Sequence, residues 1–467
     1  MAYRTKESVS RHVQLEHEKL EADEGLPFRQ LLDENRLKTA LERAGVIFRE
    51  RIYTPLVTLC AFLSQVVSGK DSSCKEAVNR VLADRAAWGR KPCSPDTASY
   101  CAARARLPEQ VLTDLTRETG RELHQQAEGD WLWKGRRVVL VDGSTATLDD
   151  TPANQAAYPQ SRNQKAGLGF PILRFVVILS LSVGTVLECA VGRCRGKMTG
   201  EQSLFRQICD TLQPGEIVVG DRLYDCYRDI FVLRARGVDS VFGKKQSRRC
   251  DFRKGRRLGP GDHVVTWKKP KYDASRYASR AEWESLPEEM EMREIRVTAR
   301  RPGFKTKTIV LVTTLLDAEQ YSAQDLAKLF AERWHCELDL RSIKRALGMY
   351  HLRCRTPEMV RKELWTYLLA YNLIRVRMAQ AAALHGKLPR RLSFTAAQSL
   401  IDSFAPHLST THGEKRGRIE LDLLLAISRC RVPKRPGRSE PRAVKKREKK
   451  YSYLTKPRPQ ARKQLTA

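Results

Sequence analysis

Apolar positions recur at three- and four-residue steps over the first part of the chain, which predicts helices. The period runs from Leu37 to Val67 with an interruption near Pro55, and a second short helix is expected from Cys74 to Trp88. Ser94-Pro95-Asp96-Thr97 then starts a helix over Ala98 to Arg106, and Pro108 opens another to Gln126. From Trp131 the pattern becomes that of strands. Val138 to Asp142, Leu173 to Leu181 and Val186 to Val191 read as β runs, followed by a helix from Gln202 to Leu212, a strand from Ile217 to Asp221, a helix from Tyr227 to Arg236 and a strand from Ser240 to Gly243. Phe170 to Gly192 is long enough to span a bilayer. It is split by Ser182-Val183-Gly184-Thr185 and carries Arg174 and Glu188, so a hairpin of buried strands is the better reading.

Three strands, helix, strand, helix, strand is the order of a ribonuclease-H-like mixed sheet, an α/β fold in which the first and fourth strands are central neighbours. Lys244 to about Leu316 interrupts that order. It opens with the charged run KKQSRRCDFRKGRR and continues with strand-like segments at His263–Trp267, Met292–Thr298 and Thr308–Thr314, as an inserted β subdomain would. Ser322 to Tyr350 then reads as one amphipathic helix, started by a capping box of Ser322 and Asp325 and carrying a core stripe of Leu326, Leu329, Leu340, Ile343 and Leu347. Beside the stripe, Phe330, Arg333, Glu337, Arg341 and Lys344 fall within a sector of about 80°. For a helix taken alone, such a stripe is a solvated face of ion pairs. Further helices are expected over Glu358–Ala383, with Leu364, Leu368, Tyr371 and Leu373 toward the mixed sheet, and over Phe394–Phe404 and Ile419–Ser428.

Two aspartates change the reading of that face. RRVVLVD ends at Asp142 before Gly143-Ser144-Thr145, and EIVVGD ends at Asp221 before Arg222-Leu223-Tyr224. Carboxylates at the ends of neighbouring strands, joined by one from a later helix, form an oxygen cage for divalent ions, and a pair of such ions activates water or a 3′ hydroxyl at a phosphodiester. Asp149, Asp150 and Asp225 compete but lie beyond the strand ends. Charge supports a polyanionic partner: 85 Lys plus Arg against 54 Asp plus Glu give a net +31 in 467 residues. Trp267 and Trp283 stand among basic residues, as a stacking platform for a flipped base does, although each would also serve as a roof over a small β core. The 12 cysteines contain no C-x-x-C pair, so they read as reduced thiols with no zinc knuckle. No apolar signal segment opens the chain, and a cytoplasmic, nucleoid-associated protein without membrane contact is expected.

The succession DGST, GDRLY and F-x2-R-x3-E-x6-K, residues 142–145, 220–224 and 330–344, resembles the bacterial insertion-sequence DDE transposases with the Y-R-E-K signature, the family-four cut-and-paste group. Phe330 stands where the signature has Tyr, so the ring is kept and its hydroxyl is lost. The resemblance implies that Asp142, Asp221 and Glu337 are the catalytic, metal-holding triad, and that Arg333 and Lys344 hold phosphates, with Arg222 and Arg341 as weaker candidates. It implies Mg2+, with Mn2+ able to substitute, and double-stranded DNA as partner, both terminal inverted repeats and target, bound by a homodimer. The expected division is an N-terminal helical DNA-binding domain over 1–130, in which two helices around Leu107-Pro108, the first carrying Arg104 and Arg106, form a helix-turn-helix-like unit or a plain helical bundle, and a catalytic core over 131–245 and 319–385. Around these lie the inserted β-rich subdomain at 246–318, a C-terminal helical region at 386–432 for dimerisation, and a basic disordered tail at 433–467. The alternatives are a non-catalytic DNA-binding regulator or domesticated relative of the same fold, and a nuclease that cuts without joining.

Overall fold

The apolar run that begins at Val138 forms β1 (Val138–Leu148) in the computed structural model, which describes residues 34–45, 51–67, 73–273, 279–299, 307–432 and 452–465. Around it are β2 (Ile172–Ser180), β3 (Val186–Arg193), β4 (Ile217–Gly220), β5 (Asp239–Gly243), β6 (Arg256–Gly259), β7 (Asp262–Lys268), β8 (Glu289–Ala299) and β9 (Lys307–Thr313). Their order across the sheet is β3-β2-β1-β4-β5-β9-β8-β7-β6. β1, β4 and β5 are parallel and β2 is antiparallel to β1, which is the ribonuclease-H-like arrangement. Strands in the parallel centre are covered on both faces, so they read as unbroken apolar runs. Val139, Leu140, Val141, Ile217, Val218 and Val219 are all completely buried.

One sequence expectation changes here. β1 does not stop at Asp142, because β2 continues to pair with it from Asp142↔Val177 to Thr147↔Ile172, and Gly143-Ser144-Thr145 is strand instead of loop. Those residues are half-buried, which lets a two-stranded ribbon carry polar side chains where β4 no longer covers it. The inserted β segment is continuous with the central sheet: β9 pairs antiparallel with β5, from Val241↔Thr313 to Gly243↔Leu311.

The described residues fall into two units, divided at Leu132/Trp133, Leu181/Ser182, Glu188/Cys189, Glu337/Leu338 and Val432/Pro433. The helical unit is organised on Pro357–Leu384, which packs on Glu109–Gln126, Pro55–Val67 and Gly413–Arg429. Leu364, Leu368, Tyr371 and Leu373, expected to face the mixed sheet, are buried in this helical unit. Asn372 ties the helix down by donating to Thr116 O (2.9 Å) and Val186 O (2.8 Å) and accepting from Val186 N (2.7 Å). Helices Ala98–Arg106 and Glu109–Gln126 flank Leu107-Pro108 as predicted. Arg104, however, turns inward: its guanidinium lies 4.8 Å from the Phe62 ring centre and donates to Gln65 Oε1 at 3.2 Å. A cation engaged in this way is a packing residue, whereas Arg106 is exposed. Of the basic tail, 433–451 lies outside the described residues, and Arg458–Leu465 is helical where disorder was expected. No helix among the described residues is long and apolar enough to cross a membrane.

In the sheet-bearing unit one buried arginine joins the insertion to the chain that leads into the Glu337 segment. Arg293 on β8 is fully buried and grips Asp262 with two bonds, of 2.8 and 2.6 Å, while Nη1 donates to the Tyr321 carbonyl at 2.7 Å and more weakly to those of Leu315 and Asp317. Removing one partner leaves a buried charge uncompensated, which typically costs 3–5 kcal/mol. Arg293→Met should therefore lower unfolding free energy by about 3–5 kcal/mol, and Asp262→Ala by a similar amount. Because both changes remove one pair, the double variant in urea titrations should be well short of the sum. Full additivity would show that the two act separately.

Candidate active site

The β1–β4 ladder runs Val138↔Ile217, Val139↔Val218, Leu140↔Val219. Continued two residues, that register puts Asp142 level with Asp221, which follows the last residue of β4. Each acid is oriented locally: Asp142 Oδ1 accepts from Gly143 N at 2.8 Å, and Asp221 Oδ1 accepts from Leu223 N at 2.7 Å in an Asx turn. Gly220 matters sterically, since a Cβ there would lie 2.9 Å from both the Tyr224 ring and Val141.

The third acid comes from a segment that is less regular than its sequence suggests. The capping box forms as predicted, with Ser322 Oγ accepting from Asp325 N at 3.1 Å and donating to its carboxylate at 2.8 Å. The single helix expected over Ser322–Tyr350 is broken into Ala323–Ala331, Trp334–Arg341 and a π-turn at Ser342–Ala346. At the break the chain tightens to three-residue bonds, Arg333 N to Phe330 O and Cys336 N to Arg333 O. A π-turn and a tightened turn are common where a helix must present side chains at a site. Arg333, at the break, forks between acids: Nη2 is 2.8 Å from Glu337 Oε1 and Nη1 is 3.7 Å from Asp142 Oδ2. Phe330 is half-buried, its ring edge 3.4 Å from where a Cβ on Gly243 would stand.

Two residues that sequence reasoning left out complete the cluster. Glu201 opens the short helix Glu201–Arg206, one residue before the predicted start. Its carboxyl carbon lies 2.4 Å from where a Cβ on Gly143 would be, so only glycine leaves it room. Burial and Asp221 raise its pKa, against the pull of Arg174. Tyr224, the last residue of GDRLY, is 1% exposed, and its hydroxyl makes no hydrogen bond. Burial, then Asp142, Glu201 and Asp221, push it well above the usual tyrosine range. Nothing in the periodicity marks either residue, although Tyr224 lies inside a quoted motif. Hard oxygen donors with a buried unpaired hydroxyl beside them suit a divalent cation.

Other candidates are placed differently. Arg222 is exposed next to Asp221, whereas Arg341 and Lys344 follow the Glu337/Leu338 division and belong to the helical unit. Trp267 is in the β core, its Nε1 donating to Glu294 at 3.0 Å and its face covered by Arg248 at 3.5 Å, so no base can stack there. Trp283 is half-buried, donates to Pro270 O at 2.8 Å and lies under Lys269. The exposed indole of this unit is Trp334, 57% accessible, beside Arg333. Asp225 is a structural acid, buried and bound by Lys245 N (2.8 Å) and Arg248 (3.3 Å). Asp150 is exposed and accepts from Gln155 at 2.9 Å.

A ribonuclease-H-like sheet with clustered acids at its parallel centre defines a class of metal-using nucleases and nucleotidyl transferases. The Transposase DDE domain family matches residues 133–373, and the chain belongs to this family of DDE transposases. It is 28% identical over 437 residues, covering 91% of this chain and 93% of the relative, to the transposase InsG for insertion sequence element IS4 of Escherichia coli (strain K12). Among solved structures it is similar to a piggyBac transposase synaptic complex with hairpin DNA, at 10% identity and a TM-score of 0.43 over 92% of this chain and 87% of that one.

Burial raises the Asp142 carboxyl to about 6, helped by Asp221 and Glu201 and opposed by the Gly143 N–H and Arg333. A carboxyl whose pKa is higher folded than unfolded favours the fold below its unfolded pKa, and that contribution is lost as pH rises through the folded value. Without divalent ions, Asp142→Asn should therefore match wild type in Tm near about pH 4 and exceed it above about pH 6. Equal melting curves at neutral pH would show that the charge is not penalised.

Proposed function

We propose that this DDE transposase binds the terminal inverted repeats of its insertion sequence, cleaves the element ends and joins them to target DNA. Asp142, Asp221 and Glu337 would hold Mg2+, or Mn2+ in its place. Bound there, such ions would supply a water or 3′ hydroxyl activated at neutral pH and charge stabilisation for the phosphoryl group being transferred. What carries the reading is that Arg333 bridges Asp142 and Glu337 while Asp221 lies close enough to Asp142 to raise its pKa. A protein that only binds DNA gains nothing from setting carboxylates against phosphate.

The protein's own part is positioning. Arg333 neutralises Asp142 and Glu337 here; with both acids committed to cations, its planar fork is free to grip the phosphate beside the cut. Arg222 and Lys344 would add phosphate contacts, and the exposed Trp334 offers a face to an unpaired base. The partner is double-stranded DNA, engaged by a homodimer, with the N-terminal helices reading the repeats.

Asp142→Ala, Asp221→Ala and Glu337→Ala should each abolish nicking of a labelled element end in Mg2+ or Mn2+ while end-binding persists or tightens. A double variant should be hardly worse than either single, since all act through one pair of ions. Asp150→Ala serves as the control. Full activity in Glu337→Ala would return its helix to the role of a solvated face.

Gly143→Ala isolates Glu201. The added methyl meets the movable end of a side chain, so Tm should change little, but the carboxylate must leave the cluster. Nicking should fall by roughly tenfold or more, the cost typical of disturbing a metal's supporting groups. Unchanged nicking would exclude Glu201 from the site.

A further inference from the structure

The inserted β segment holds a second cluster of metal-binding side chains, away from the transposase acids and of different chemistry. His263 on β7 and Glu294 on β8 are direct cross-strand partners, and the loop before β6 brings Cys250 onto them. His263 Nε2 is 3.2 Å and Cys250 Sγ 2.6 Å from Glu294 Oε2, with sulfur and nitrogen 3.9 Å apart. We propose that Cys250, His263 and Glu294 bind one zinc ion, which fastens the basic loop between β5 and β6 to the β7–β8 pair.

The donor set is the first support. Thiolate, imidazole and carboxylate together suit a borderline ion such as zinc, whereas Mg2+ takes oxygens alone. Around tetrahedral zinc, with bonds of about 2.0 Å to nitrogen or oxygen and about 2.3 Å to sulfur, donors lie roughly 3.3–3.6 Å apart. The nitrogen–oxygen and sulfur–nitrogen separations are close to that already. The short sulfur–oxygen contact is an S–H···O hydrogen bond, which opens when the thiol proton leaves to solvent and the ion takes its place. Zinc with one thiolate and one carboxylate is neutral, which suits His263 and Glu294, at 1% and 2% exposure. Cys250 is half-buried, so a water can reach the fourth position from its side.

The surroundings orient these donors as outer-shell groups at metal sites do. His263 Nδ1 is 2.7 Å from the Lys254 carbonyl, which places a proton there and turns Nε2 toward the cluster. Trp267 holds the other oxygen of Glu294 at 3.0 Å, leaving Oε2 for the ion. This accounts for the burial of Trp267.

The test uses the untagged full chain, reconstituted with zinc and then dialysed. Elemental analysis should find about one zinc per chain, retained in Asp142→Ala and lost in Cys250→Ala and Cys250→Ser. Substitution with cobalt should give a thiolate-to-cobalt charge-transfer band in wild type that is missing from both cysteine variants. Circular dichroism checks that those variants are folded, and the wild-type cobalt spectrum reads out the thiolate even if they are not. A wild-type chain that keeps no zinc, a cobalt complex without the thiolate band, or zinc that survives loss of the thiol would overturn the proposal.

Discussion

Two parallel strands in near-equal register force two aspartates to the same level at the centre of a sheet, and much of the molecule answers that repulsion. Val138–Val141 and Ile217–Val219 are buried on both faces, so the register cannot slip without exposing an apolar run. Asp142 and Asp221 are therefore held together by hydrophobic packing on their N-terminal side, in spite of their charge. Arg333 reaches Asp142 and Glu337, and the Gly143 N–H bonds Asp142, but burial still outweighs both and keeps the Asp142 carboxyl reluctant to ionise. A site with that imbalance is poised for cations.

Arginine solves the same problem elsewhere. Arg293 neutralises Asp262 inside the sheet-bearing unit, and Arg375 and Arg390 both bind buried Asp339 in the helical unit. Arg104 lies among Phe62, Tyr100 and Gln65. Some of the basic side chains thus serve the interior, where a planar guanidinium can satisfy several acceptors at once.

Local order was legible because it follows from local burial. Helix starts at Pro55, Ala98, Glu109 and Phe394 and the strand β4 fall at or beside their expected places, since periodicity, caps and prolines act within a few residues. The register of Asp142 and Asp221 could be anticipated for the same reason: each ends an apolar run. The extension of β1 past Asp142 could not, because a polar strand is indistinguishable from a loop until β2 is seen pairing with it.

What tertiary structure alone decided are the meetings of distant residues. Glu201 joins the acids because its helix starts where Gly143 leaves space, and the break at Arg333 sets which face Glu337 presents. Trp267 resembled a DNA platform among basic residues and is instead a buried donor to Glu294. Cys250, His263 and Glu294 are separated by 13 and 31 residues, without the C-x-x-C spacing that marks a metal site from sequence. Sequence patterning reports which positions are buried. Which buried positions face one another depends on strand pairing and on how the insertion joins the sheet, and those are properties of the whole fold.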